Sequence, residues 1–167
     1  MQRRKSVLWP WILAVLLLLT SVTFLLQQDA WLDNRWFRTT LIQAGVKLPL
    51  RSKDWQIQTD SIKPHWLERE NGKRILIIRG KLTNLLAVEL PLPHFIVTFF
   101  PTDRSVKAAD STTTDAILPP QEADLRKSGF LNPPHDLSLV AAGGSHQFTL
   151  LLQSIDPATA DFTIKAQ

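Results

Sequence analysis

Residues 7–26 read VLWPWILAVLLLLTSVTFLL, twenty positions without a charge, and Arg3, Arg4 and Lys5 stand just before them. An α-helix rises about 1.5 Å per residue, so a run of this length covers roughly 30 Å, the hydrocarbon thickness of a bilayer. The run predicts one transmembrane helix over Val7–Leu26, in direct contact with the lipid bilayer. It also divides the chain: residues 1–6 form a basic cytoplasmic N-terminus, 27–50 a membrane-proximal helix and connector, and 51–167 one appended domain.

Positive flanks stay on the cytoplasmic side, so the chain from about Gln27 onward is expected across the membrane. A cleaved signal peptide is the competing reading, but its apolar core usually runs about 7–15 residues and ends at a small-x-small site. Here the run is longer, Thr23–Gln28 offers no Ala-x-Ala pattern, and no cysteine is present for lipidation. An uncleaved signal anchor is therefore expected. Trp9 and Trp11 lie near one end of the span and Trp31 and Trp36 follow the other. Indoles suit the headgroup layer, although Trp31 and Trp36 would serve as well packed into the appended domain. Thr20, Ser21 and Thr23 permit helix association in the membrane without requiring it.

Composition narrows the function classes. The formal charge is +4, but three of the positives are the Arg3–Lys5 cluster, and the near-balanced remainder does not suggest a nucleic-acid surface. The chain has no cysteine, which removes disulfides, thiol catalysis and cysteine zinc sites. About 140 residues beyond the span suffice for one domain with its own core.

Asp29–Ala44 reads as a helix with Asp29 as its cap, an apolar stripe of Leu32, Trp36, Leu41 and Ala44, and Gly45 as its stop. Arg35 and Arg38 give it a weak basic, lipid-facing character. Beyond it, apolar alternation at Trp55, Ile57 and Thr59 predicts a half-buried strand, which Ile62–Trp66 interrupts at Pro64. Glu70-Asn71-Gly72-Lys73 is a hairpin turn, and Arg74–Thr83 a strand closed by Asn84. Pro91 and Pro93 frame a turn before the dense strand Phe95–Phe100; Pro101–Arg104 turns again, and Ser105–Ala108 returns as a short strand. Residues 109–145 look least regular, with Ser111–Thr114, Pro119-Pro120 and Pro133-Pro134 as breakers and a short helix over Gln121–Lys127. Gln147–Leu152 and Asp161–Ala166 are late strands joined by Asp156-Pro157-Ala158. The fold class is mainly β: an immunoglobulin-like β-sandwich preceded by a transmembrane helix and a short amphipathic helix.

The order of features is distinctive: the span Val7–Leu26, Gly45-Val46-Lys47-Leu48-Pro49, a strand over Trp55–Ile62, and Gly80-Lys81-Leu82-Thr83-Asn84. Leu90-Pro91-Leu92-Pro93, Phe95–Phe100 and Phe148–Leu152 complete it. Over about residues 30 to 166 it resembles the uncharacterised extracytoplasmic domain that follows a zinc ribbon and one transmembrane helix in many proteobacterial membrane proteins. The ribbon's paired Cys-x-x-Cys ligands are missing from this sequence, so its role is not expected here. The resemblance implies a bacterial inner-membrane protein, N-terminus cytoplasmic and C-terminal domain periplasmic, and brings no established activity.

Chemistry-bearing residues form no recognisable constellation. His65, His94, His135 and His146 show no helical i, i+4 pairing and no His-x-His, so no metal site is expected and the histidines read as solvent-contacting turn and strand-end residues. Ser145-His146 are adjacent without a Gly-x-Ser-x-Gly elbow and read as the turn before a strand. Glu68 with Glu70, and Glu122 with Asp124, suit solubility and helix-terminus electrostatics better than acid–base work. No catalytic residue, cofactor or metal is assigned. The apolar segment Leu85–Leu92 would be a docking surface if exposed and a core connection if buried.

The expected function is a non-catalytic interaction module of the cell envelope with a protein partner, acting through residues between about Pro119 and Pro134. The alternative is a periplasmic carrier or sensor of an apolar ligand such as lipid, held between the sheets.

Overall fold

The computed structural model describes residues 8–101, 110–127, 129–153, 155 and 159–167. The Arg3–Lys5 cluster, the turn at Thr102–Arg104, the strand expected at Ser105–Ala108 and the turn at Asp156–Ala158 lie outside the described residues.

The apolar run folds as helix α1, Leu8–Leu26, and its large apolar side chains are exposed around the whole circumference. It is long and apolar enough to cross a membrane. Its threonine hydroxyls are satisfied internally: Thr20 Oγ1 donates to Leu16 O and Leu17 O, and Thr23 Oγ1 to Leu19 O. Such back-bonding suits a helix whose surroundings offer no water.

The single helix expected at Asp29–Ala44 is two, α2 (Gln28–Leu32) and α3 (Arg35–Gln43). Asp29 is not the cap, because Trp31 N–H already donates to Gln27 O and Gln27 N–H to Thr23 O, so α2 continues almost directly from α1. The break falls at Asn34, whose side-chain oxygen accepts from Trp36 N–H and Phe37 N–H and caps α3. The buried face also differs: Trp36 is 74% exposed, while Arg38 and Thr39 are buried and Ile42 packs on the main core. Gly45 stops α3 as expected, at φ +86°, with Gly45 N–H on Ile42 O and Val46 N–H on Leu41 O.

The rest is mainly β, with strands that form two three-stranded antiparallel sheets and a small ribbon. The first sheet has the order β1 (Trp55–Glu68), β2 (Arg74–Asn84), β7 (Ser145–Leu152). The second has the order β5 (Asp110–Thr114), β4 (Phe95–Pro101), β8 (Thr159–Ala166). Short β3 (Leu90–Pro91) pairs with β6 (Leu139–Val140).

Pro64 does not end the first strand; β1 runs through it because β1 is an edge strand, where a missing N–H is tolerated. The irregularity appears instead as a bulge between Gln58 and Lys63, where Ser61 Oγ accepts from Lys81 N–H at 2.8 Å. Ser111–Thr114 are not breakers; their β-branched threonines form most of β5, pairing with β4 through Ile96–Thr113 and Val97–Thr112. Its largely exposed side chains explain why no apolar alternation marks it.

β2 is buried on both faces, which accounts for its continuous apolar run. Leu76, Ile78 and Leu82 meet the second sheet's Phe95, Val97 and Phe99 in the main core. Ile75 and Ile77 face the other way, toward Leu67 and Leu125. Phe95 and Phe148 bridge the sheets with ring centroids 4.5 Å apart. Phe148 lies directly across from Gly80, and a Cβ there would stand 2.6–3.3 Å from its ring carbons. Only glycine lets the ring fold over the strand.

Asn84 locks the strand end. Fully buried, it donates from Nδ2 to Val88 O, Val140 O and Ala141 O, and its Oδ1 accepts from Leu86 N–H. The segment that follows is accordingly a core connection rather than a docking surface: Leu86 and Leu90 are buried, with Val88 and Leu92 packed against them.

Candidate functional site

The histidines fall into separate small clusters built on two aspartates, with His65 apart from both. Asp115 takes His94 Nδ1 on one carboxylate oxygen and His135 Nδ1, at 3.4 Å, on the other. His146 Nε2 lies 3.0 Å from Asp136 Oδ2, while His65 stays exposed on the edge strand opposite Ile77. Among the described residues no group of three His, Cys, Asp or Glu side chains is arranged to hold a metal ion.

Ser145 and His146 turn to different partners, since neighbouring strand residues face opposite sides. Ser145 Oγ is 2.9 Å from Thr83 Oγ1 and the imidazole reaches Asp136. The acidic pair on α4 (Glu122–Arg126) is engaged along the chain: Glu122 with Arg126 and Asp124 with Lys127. Glu68 ends β1 with its side chain exposed, and exposed Glu70 contributes its backbone N–H to Arg126 O.

The more organised feature is the segment between β5 and β7. Leu125 of α4 is buried against Leu67, Ile75 and Ile77 and seats the helix on the outer face of the first sheet. Arg69, at the tip of the β1–β2 hairpin, is buried and donates from Nη2 to Lys127 O and Gly129 O. Two residues on, Leu131 is clamped by Gln153: Leu131 N–H donates to Oε1 at 2.9 Å and Nε2 donates to Leu131 O at 2.6 Å. Phe130 sits between these clamps with its side chain 81% exposed.

A second apolar side chain is presented in the same manner. Asp136 N–H donates to Ala116 O and its Oδ1 accepts from Ser138 N–H, a side-chain-closed turn with Leu137 at its tip, 85% exposed. Burial raises the Asp136 carboxyl, but hydrogen bonds from Ser138 and His146 outweigh it and hold the group below the usual carboxylate range. Leu118 and Leu139 on the same segment are also exposed. The arrangement offers apolar side chains on fixed backbone, which suits binding rather than bond making.

Of the two exposed side chains, Phe130 falls within the binding segment expected between about Pro119 and Pro134, though not singled out there, and Leu137 falls beyond it. The only local signal is an aromatic residue between Gly129 and Pro133-Pro134 in a stretch without apolar periodicity. No known protein family, curated protein or solved structure matches this chain.

Proposed function

We propose that this chain is a membrane-anchored, non-catalytic interaction module of the bacterial envelope, and that it binds a protein partner through Phe130 and Leu137. In this reading α1 is an uncleaved inner-membrane anchor, the N-terminus is cytoplasmic, and an immunoglobulin-like sandwich stands in the periplasm. Kinship with the extracytoplasmic domain that follows a zinc ribbon elsewhere belongs to the same proposal.

The observation that carries it is Phe130, exposed between two backbone clamps made by Arg69 and Gln153. An exposed aromatic gains little in water, but one whose flanking backbone is already held loses little backbone entropy on docking. The apolar-carrier alternative needs room between the sheets, where Phe95 stacks on Phe148 and Leu76, Ile78, Val97 and Leu150 pack.

The test is crosslinking and co-purification of tagged full-length protein carrying Phe130→Ser and Leu137→Ser. Loss of specific partners is expected, with a melting temperature close to the parent's, because surface changes outside packed sites stay within about 0.5 kcal/mol. An unchanged partner profile would remove this segment from the binding surface.

A further inference from the structure

The exposed face of α3 is the feature that the interaction reading leaves unused. Phe24 in the last turn of α1, Trp31 in α2 and Phe37 in α3 form a series of ring contacts with centroids 6.2 and 6.0 Å apart. These contacts hold α3 within two aromatic rings of the end of the apolar helix. A five-residue helix such as α2 rises about 7.5 Å, close to the polar region of one leaflet at about 5–8 Å.

The other side of α3 is committed to the globular domain. Arg38 donates from Nε to Asp54 Oδ1 at 2.8 Å, and from Nη2 to Asp54 Oδ2 at 2.6 Å and to Pro49 O at 2.7 Å. Asp33, at the break between α2 and α3, pairs with Arg51 at 2.7 Å and with Lys53. Its carboxyl is held below the usual range, first by the Lys53 hydrogen bond and then by that of Arg51.

That docking leaves Trp36, Thr40 and Gln43 exposed at one-turn spacing, with exposed Arg35 beside them. A nearly free indole among polar residues matches the headgroup layer, where an apolar ring and an N–H donor are both accommodated. Arg35 adds a donor for lipid phosphate.

We propose that the Trp36 face of α3 rests on phospholipid headgroups, so that α2 and α3 form an interfacial neck and seat the β domain directly on the bilayer. The proposal rests on α1 spanning that bilayer. The Arg38–Asp54 pair then joins the neck to the domain, and the ring contacts join it to the span. Apolar loops such as the one bearing Phe130 are thereby presented at a fixed height.

The test uses the full-length protein in phosphatidylcholine–phosphatidylglycerol vesicles whose acyl chains are brominated near the headgroup end. The emission of Trp36 is the difference between parent and Trp36→Phe; that of Trp66, half-exposed on β1, is obtained from Trp66→Phe. Quenching of Trp36 by about two-fold is expected, with Trp66 unaffected. If Trp36 escapes the brominated lipid while the Trp9 and Trp11 emission is quenched, the span stands and the interfacial neck is overturned. If Trp9 and Trp11 also escape quenching, the span reading fails and takes the neck with it.

Discussion

The two faces of the β1–β2–β7 sheet are built differently. One meets the second sheet across a broad apolar layer in which Leu76, Ile78, Leu82, Phe148 and Leu150 are buried to within a few per cent. Among the described residues the other buries Leu67, Ile75, Ile77 and Leu125, with Leu131 and Leu151 partly buried against them, and its cover is held largely by directional polar contacts from Arg69 and Gln153. Apolar burial scales with area and carries stability, whereas a hydrogen bond adds little net energy but fixes geometry. The first face thus makes the domain fold, and the second holds a loop in position. Exposed Phe130 and Leu137 are both placed by such polar fixtures.

The contrast breaks most sharply at Phe148. Phe148→Ala removes the ring that stacks on Phe95 and covers Gly80, leaving a void at the centre of the main core. A loss of about 3–5 kcal/mol is expected, read as cooperative unfolding of both sheets at much lower denaturant. A loss comparable to that of a surface substitution would mean that the two sheets do not depend on this contact.

Leu125→Ala probes the thin face. The residue is 3% exposed, but its neighbours are few and a short helix can settle into the space. The expected cost is about 2 kcal/mol, the low end for a buried leucine. It should appear first as faster amide exchange in α4 and the Lys127–Leu131 segment, with the main core still protected. Loss of protection in both sheets together would show that the two faces are one cooperative unit.

How far the sequence discloses this depends on the kind of force involved. The run Ile75–Ile78 and the dense strand Phe95–Phe100 are legible because apolar burial writes itself into neighbouring positions. β5 is not, since its threonines face solvent at an edge and mimic a loop. Arg38 looks like a surface cation by residue type, yet it is buried on Asp54, sixteen positions away. The same distance effect hides the candidate site. The Arg69 clamp on Gly129 and the pairing of His94 with Asp115 join residues that share no local pattern. Phe130 is invisible for the converse reason, because the role proposed for it comes from being left out of the core.

The finest test of the polar fixtures is Asp136. Its folded pKa lies below the ordinary unfolded value of about 3.9, so the folded state holds the charged form more favourably than the unfolded chain does. The resulting stabilisation is complete well above pH 4 and is lost as the pH falls through the lower, folded value. Asp136→Asn keeps an oxygen for Ser138 N–H but removes the charge facing His146. Parent protein should therefore melt higher than the variant at neutral pH, with the gap narrowing below about pH 4 and closing once Asp136 is protonated in the folded state. Thermal midpoints recorded for both proteins from neutral pH downward decide the matter. A gap that stays constant through the acid range would show that the charge contributes nothing and that the turn presenting Leu137 is held by its backbone bonds alone.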